Sequence, residues 1–262
     1  MSSLRLPALV FAFFAVAAPV AALTITSPGV PVTEDFSSLA TAGTGSVLPA
    51  GWSFLETGSA FNTTYTAGTG SATTGDTYSF GSAALPADRA LGLLQSGSLV
   101  ATIGTIVTNS TGGAITALTI SYFGEQWRLG ALSRTDRLDF EYSTNASSLS
   151  TGTWNSEDQL DFTAPVSTGV VGALDGNLAA NRTAVSFTLT GLSLAHGASL
   201  WLRWTDFNAS GADDGLAIDD FSITAAGATG PGVPDQLPLG FAAALFGGLL
   251  LAAQRRCWAP CC

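Results

Sequence analysis

Leu200-Trp201-Leu202-Arg203-Trp204-Thr205 alternates without a break, with Leu200, Leu202 and Trp204 on one side and Trp201, Arg203 and Thr205 on the other. A repeat of two is that of an extended strand with one face in a core and the other towards solvent. The pattern recurs along the chain. Leu118, Ile120 and Tyr122 alternate with Thr119 and Ser121; Leu138, Phe140 and Tyr142 with Asp139 and Glu141; Val185, Phe187 and Leu189 with Ser186 and Thr188. Further strands are predicted over residues 89–95, 100–108, 159–163 and 216–224. Between them lie turn-forming clusters such as Asn109-Ser110-Thr111-Gly112-Gly113, Asp175-Gly176-Asn177 and Ala195-His196-Gly197. No amphipathic helical period interrupts the series, so the body is predicted to be all-β, an antiparallel β-sandwich of the jelly-roll kind. Residues 43–77, rich in Gly, Thr and Ser, read as one long loop or an outer hairpin.

Composition agrees with an extracellular β domain. Of 262 residues only 11% are charged, 30 are glycine, and none is lysine. Without the two terminal segments described next, six arginines face 18 acids, a net charge of −12. A body this acidic repels nucleic acid and anionic lipid headgroups, so no nucleic-acid partner is expected, and it attracts divalent cations. All three cysteines, Cys257, Cys261 and Cys262, follow residue 253, so the body has no disulfide to lean on.

Both ends read as addresses. Arg5 precedes an apolar run over residues 8–18, and Val20-Ala21-Ala22 supplies small residues for cleavage, the layout of a signal peptide over residues 1–22. Near the other end, Pro231-Gly232-Val233-Pro234-Asp235-Gln236 leads into an apolar span over residues 237–253, closed by Arg255-Arg256. That span is long enough for a single transmembrane helix, and the arginine pair favours a cytoplasmic C-terminus. The expected organisation is therefore a signal peptide (1–22), a β-sandwich domain (23–230), and a linker, sorting or transmembrane segment and basic tail (231–262). The expected location is exported, either membrane-anchored or at the cell surface after processing.

Val233-Pro234-Asp235, the apolar span and the arginine pair resemble the PEP-CTERM sorting signals of exported proteins in Gram-negative bacteria that make extracellular polysaccharide. The resemblance implies processing by a membrane enzyme of the exosortase type. Within the body, Gly215-Leu216-Ala217-Ile218-Asp219-Asp220-Phe221-Ser222-Ile223 resembles the closing strand of MAM-like and lectin-like jelly rolls, and Glu34-Asp35-Phe36 their opening strand. That resemblance implies that the two strands lie side by side.

Two acidic groups are candidate metal sites, with calcium as the expected ion. Asp206, Asn208 and Ser210 at alternate positions before Gly211 copy the first half of a calcium loop, and Asp213 or Asp214 could complete the shell. The same loop also reads as an Asx-rich turn whose side chains satisfy nearby backbone N–H groups. The second group pairs Glu34 or Asp35 with Asp219 or Asp220; a period of two sends the last two to opposite faces, and an inward carboxylate needs a metal or an arginine.

For a sugar ligand the candidates are Trp127 with Glu125 and Arg128 beside it, and Trp201, read as the better-exposed ring. Catalysis has little support. His196 is the single histidine, the body lacks cysteine, and no serine sits in a nucleophile-elbow pattern. Acid pairs such as Asp139/Glu141 and Glu157/Asp158/Asp161 keep a carbohydrate-active hydrolase open as an alternative, and a purely structural matrix protein as another. The reading adopted is a non-catalytic surface module that binds or organises extracellular polysaccharide.

Overall fold

The computed structural model describes residues 21–229. The expected signal peptide falls almost wholly outside these residues, and the apolar span, arginine pair and cysteines wholly so. Among the described residues no helix is long and apolar enough to cross a membrane.

Sixteen strands and one short turn of 3-10 helix make up the body. In chain order the strands are β1 (Leu23–Ile25), β2 (Val32–Glu34), β3 (Thr44–Gly45), β4 (Trp52–Gly58), β5 (Tyr65–Gly68), β6 (Asp76–Phe80), β7 (Ala90–Leu94) and β8 (Leu99–Asn109). They continue with β9 (Ala114–Leu129), β10 (Arg137–Ser143), β11 (Asn155–Ser156), β12 (Phe162–Thr163), β13 (Gly172–Ala173), β14 (Arg182–Leu189), β15 (Ser199–Asp206) and β16 (Gly215–Thr229). Seven form one sheet in the order β1-β8-β15-β10-β11, with β4 also on β8 and β12 on β10. Nine form the other in the order β13-β9-β16-β7-β6-β5-β3, with β14 also on β9 and β2 on β16. All pairings are antiparallel except β1 with β8 and β5 with β6.

The alternating runs became strands for the reason their pattern gave. Leu200, Leu202 and Trp204 of β15 and Leu138 and Phe140 of β10 face Leu118, Ile120 and Tyr122 of β9 and Leu216, Ile218 and Phe221 of β16 in one core between the sheets. At its centre Trp204 packs edge-on against Tyr122, Phe140 and Phe221 and stacks on Trp52 with ring centres 5.8 Å apart. Gly124 is a place where size decides: a Cβ there would lie 2.1 Å from the Phe162 ring.

Two expectations are corrected. Residues 43–77 are neither a loop nor one hairpin. They hold β3, β4 and β5 and the start of β6, distributed over both sheets, because Trp52, Phe54 and Tyr65 anchor to the core between their polar neighbours. Residues 159–163 are only partly a strand. Glu157 caps a 3-10 turn over Asp158–Leu160, its carboxylate accepting from the Gln159 N–H, before β12 begins.

A smaller apolar cluster covers the opposite face of the nine-stranded sheet. It contains Tyr78, Phe80, Ala90, Leu94, Trp127 and Ala217, with Phe80 stacked on both Tyr78 and Trp127. Thus β6 and β7, and the stretches of β9 and β16 around Trp127 and Ala217, are buried on both faces, which is why Asp76–Phe80 and Ala90–Leu94 carry no exposed position.

Because Trp204 ties together rings from both sheets, Trp204→Ala should lower unfolding free energy by about 3–5 kcal/mol. Urea denaturation followed by far-ultraviolet circular dichroism measures it. A loss below about 1 kcal/mol would show that the sheets do not depend on this ring.

Candidate functional site

On the outer face of the seven-stranded sheet, β10 and β15 floor a cleft of about 670 Å³ lined by Arg137, Asp139, Glu141, Asp158, Asp161, Arg203 and Thr205. The register puts Glu141 opposite Arg203 and Asp139 opposite Thr205, so the polar halves of two alternating strands share one surface. Arg203 donates from Nε and reaches from Nη2 to Glu141 Oε2 at 2.7 and 2.6 Å, and donates from Nη1 to the Leu149 carbonyl. Its guanidinium lies 3.9 Å above the Trp154 ring. Arg137 pairs with Asp139 and lies over Phe207. Asp161 accepts from the Phe140 N–H at 2.7 Å, and burial holds its carboxyl above the ordinary range. The cleft thus presents fixed donors and acceptors with two more acids than arginines. A second hollow, of about 440 Å³, lies along the edge strand β4, lined by Leu48, Trp52, Phe54, Glu56, Phe61 and Asn62.

The loop after β15 does not form the expected calcium half-loop. Asp206 is 3% exposed, whereas Asn208 and Ser210 point to solvent, so the three side chains diverge. The loop is nucleated instead by Asp213, whose Oδ1 accepts from the Ala209 N–H, the Asx-turn alternative. Asp214 is fully engaged. It accepts from the Gly130 N–H at 2.6 Å, from Arg134 at 3.1 Å and from Gln126 Nε2 at 2.9 Å. Its own N–H donates to Asp136, which also bonds Arg134. Burial holds the Asp213 and Asp214 carboxyls at about 6.

The terminal-strand acids divide between two places. β2 pairs with β16, Glu34 opposite Phe221, so opening and closing strands are neighbours. Where Asp219 opposes Phe123 and Ser222 opposes Ser121, β16 carries one residue more than β9. The extra residue is Asp220, with φ +47, a β-bulge. Asp220 joins Glu34 and Asp35 in a shallow pocket of about 360 Å³. Asp219, just before the bulge, is 5% exposed and feels the charges of Glu125 of β9, Asp220 and Asp88.

The aromatic candidates are corrected. Trp127 is 1% exposed; Gly176 covers its indole so closely that a Cβ there would lie 2.4 Å from the ring, and Phe80 lies parallel to it at 5.9 Å. Its Nε1 donates to Glu125 Oε2 at 3.0 Å, which makes Glu125 a partner of the indole and not a free hand for sugar. Arg128 donates to the Gly70 and Ser71 carbonyls and holds that loop down. Trp201 is 7% exposed, although period two places it on the outer face. Alternation gives the face of a sheet; it cannot say what later folds over that face, and here the loop between β10 and β11 lays Leu149 against Gly104, beside Arg203.

Sequence reasoning named the cleft acids only as pairs, and it missed Arg137, Arg203, Arg134, Asp136 and Gln95. One signal was available. With six arginines for 18 acids in the body, each arginine on a strand was a place where acids would be gathered.

No protein-family model matches the sequence, and no curated protein matches it. Solved structures show distant likeness. The chain is 12% identical to the K1 cleaved adhesin domain of Lys-gingipain from Porphyromonas gingivalis, covering 76% of this chain and 100% of that one, with a TM-score of 0.35. It is 10% identical to the C-terminal family 22 carbohydrate-binding module of a Clostridium thermocellum xylanase, over 78% of this chain and 96% of that one, with a TM-score of 0.34. It is 11% identical to tailspike protein 4 of bacteriophage CBA120, with a TM-score of 0.36, over 66% of this chain and only 19% of the tailspike. Values this low assign no ligand.

The Glu125–Asp219 pair gives the body a pH dependence. Burial pushes Glu125 up to about 7, with the Trp127 N–H and Arg182 at 3.9 Å offering partial relief, and burial followed by the Glu125 charge pushes Asp219 up to about 9. An acid whose folded pKa lies above its unfolded value of about 4 holds more protons when folded, so stability falls with rising pH between the two values. The protein should be more stable at pH 5 than at pH 9. Asp219→Asn should flatten the upper part of that decline. Urea midpoints across this range in the presence of chelator provide the check, and a stability that rises with pH would contradict the burial of this pair.

Proposed function

We propose that the body is a non-catalytic carbohydrate-binding sandwich of jelly-roll connectivity that takes an extracellular polysaccharide in the β10–β15 cleft. We further propose that residues 1–22 export it and that residues 231–262 hold it at the membrane or pass it to an exosortase-like enzyme. The observation that carries the ligand reading is the cleft's fixed set of Asp139, Glu141 and Asp161 with Arg137 and Arg203, each already bonded to protein and each with lone pairs or N–H groups left over. Such a surface bonds hydroxyl groups without stripping an unpaired charge of water. Its excess of acid disfavours uronic or sulfated polymers, so a neutral chain is the better fit. The PEP-CTERM resemblance supports the setting, an exported protein among secreted polysaccharide.

A hydrolase has less in its favour. Asp139 and Glu141 are bound to arginines, and the most perturbed acid pair, Glu125 with Asp219, is buried where a glycosidic bond has no approach.

A glycan array carrying neutral and uronic polysaccharides tests the proposal. Binding to neutral chains is expected, weakening by about tenfold or more in Arg203→Ala, the value of a hydrogen bond to a charged group. Asp158→Ala, at an exposed position on the cleft rim, should weaken binding with no change in fold. If the wild-type protein binds no glycan, a purely structural matrix role stands in its place.

A further inference from the structure

The corner where β7 ends, β15 ends and the 207–214 loop begins holds four buried carboxylates: Asp136, Asp206, Asp213 and Asp214. Arg134 bonds two of them, Asp136 at 2.8 Å and Asp214 at 3.1 Å, and also bonds the Ala212 carbonyl. Asp206 and Asp213 are bonded to no arginine among the described residues, although the Arg134 charge reaches Asp213 through space. Four carboxylates against one guanidinium leave the corner three positive charges short.

A second observation is independent of the acids. The Gln95 N–H donates to Asp206 Oδ2 at 2.8 Å, so Gln95 and Asp206 are neighbours. Yet Asp206 Oδ1 and Gln95 Oε1 are both buried without a hydrogen-bond partner. Two neighbouring residues, 3% and 5% exposed, thus each bury an oxygen acceptor that meets neither a donor nor a cation. Gln95, Asn208 and Asp213 also line a cleft of about 310 Å³ that gives this corner an entrance from solvent. The other cation on that cleft, Arg128, is committed to the Gly70 and Ser71 carbonyls.

We propose that this corner binds one divalent cation of the calcium class through Asp206 Oδ1, Gln95 Oε1 and the Asp213 carboxylate, with loop carbonyls and water completing the shell. The proposal does not rest on the carbohydrate reading. It replaces the half-loop of Asp206, Asn208 and Ser210 with a set drawn from three separate segments. As the side chains stand, no three His, Cys, Asp or Glu groups among the described residues enclose a metal-sized point. Two carboxylates with an amide oxygen are a donor mix that calcium accepts, because it takes 6–8 oxygens in flexible geometry. Burial and then the charges of Asp136 and Asp213 push the Asp206 pKa up, as happens to carboxylates gathered without their counterion. The ion would join the end of β7 in one sheet to the end of β15 in the other.

Calorimetric titration of the chelator-treated full-length chain with calcium should give one ion bound per chain. At a hundredfold excess over Kd it should raise Tm by about 5 °C or more, with magnesium less effective. Asp206→Asn removes a buried charge that stands beside Asp136 and Asp213, so the metal-free variant should fold at least as stably as wild type and lose the calcium response. Asp213→Asn should lose at least about tenfold in calcium affinity, one ligand's contribution. Glu34→Gln, in the other acidic pocket, should leave the response intact. Failure of wild type to bind calcium would overturn the proposal and leave Asp206 protonated. A response that survives both loop variants but disappears in Glu34→Gln would overturn it too, moving the ion to the Glu34–Asp220 pocket.

Discussion

Contact between the two sheets rests on one knot of rings. Trp52 of β4, Phe140 of β10 and Trp204 of β15 come from the seven-stranded sheet, Tyr122 of β9 and Phe221 of β16 from the nine-stranded one. Edge-to-face rings add specific geometry to the burial of large apolar area. Around this knot the inner residues of β9, β10, β15 and β16 are fixed in register, and their outer residues are fixed with them. The cleft on β10 and β15 is the reverse side of the same packing: Arg203 and Thr205 face outward because Leu202 and Trp204 face in.

Charge is distributed under scarcity. Arg134 spans Asp136 and Asp214, and Arg137 spans Asp139 and Asp161, while Arg182 and Arg203 each serve one acid, Glu125 and Glu141. Where no arginine reaches, the acids are pushed towards the protonated form, as with Asp219, or are left with orphaned oxygens, as with Asp206. The single extra residue at Asp220 decides which shortage falls where. Without that bulge the side chains of β16 beyond Asp219 would change faces, and Phe221 would leave the ring knot.

How legible this was follows from the range of the forces involved. Period-two alternation is local, so β9, β10, β14 and β15 could be read directly, and the pairing of β2 with β16 was implied by their resemblance to terminal strands of jelly rolls. Strands β3 to β6 were obscured because their Gly, Ser and Thr are held by partners distant in sequence, such as Glu56 accepting from the Thr77 N–H and hydroxyl. Candidate acids were correctly seen to be abundant. Their grouping was not readable, because Asp136, Gln95 and Asp206 meet only after three strands are in place. Period two put the Trp201 ring on the outer face of its strand, but what covers that face carries no periodic signal.

The pairing of β2 with β16 joins residues roughly 190 positions apart. The nine-stranded sheet therefore has an unfilled slot until nearly the whole body has been synthesised, and no cysteine lies in the body to lock a partial arrangement. Contacts of such long sequence separation form late and slowly. A nascent chain of this topology stays open until its last strand arrives, and its final shape is reached only once nearly all of the body has been made.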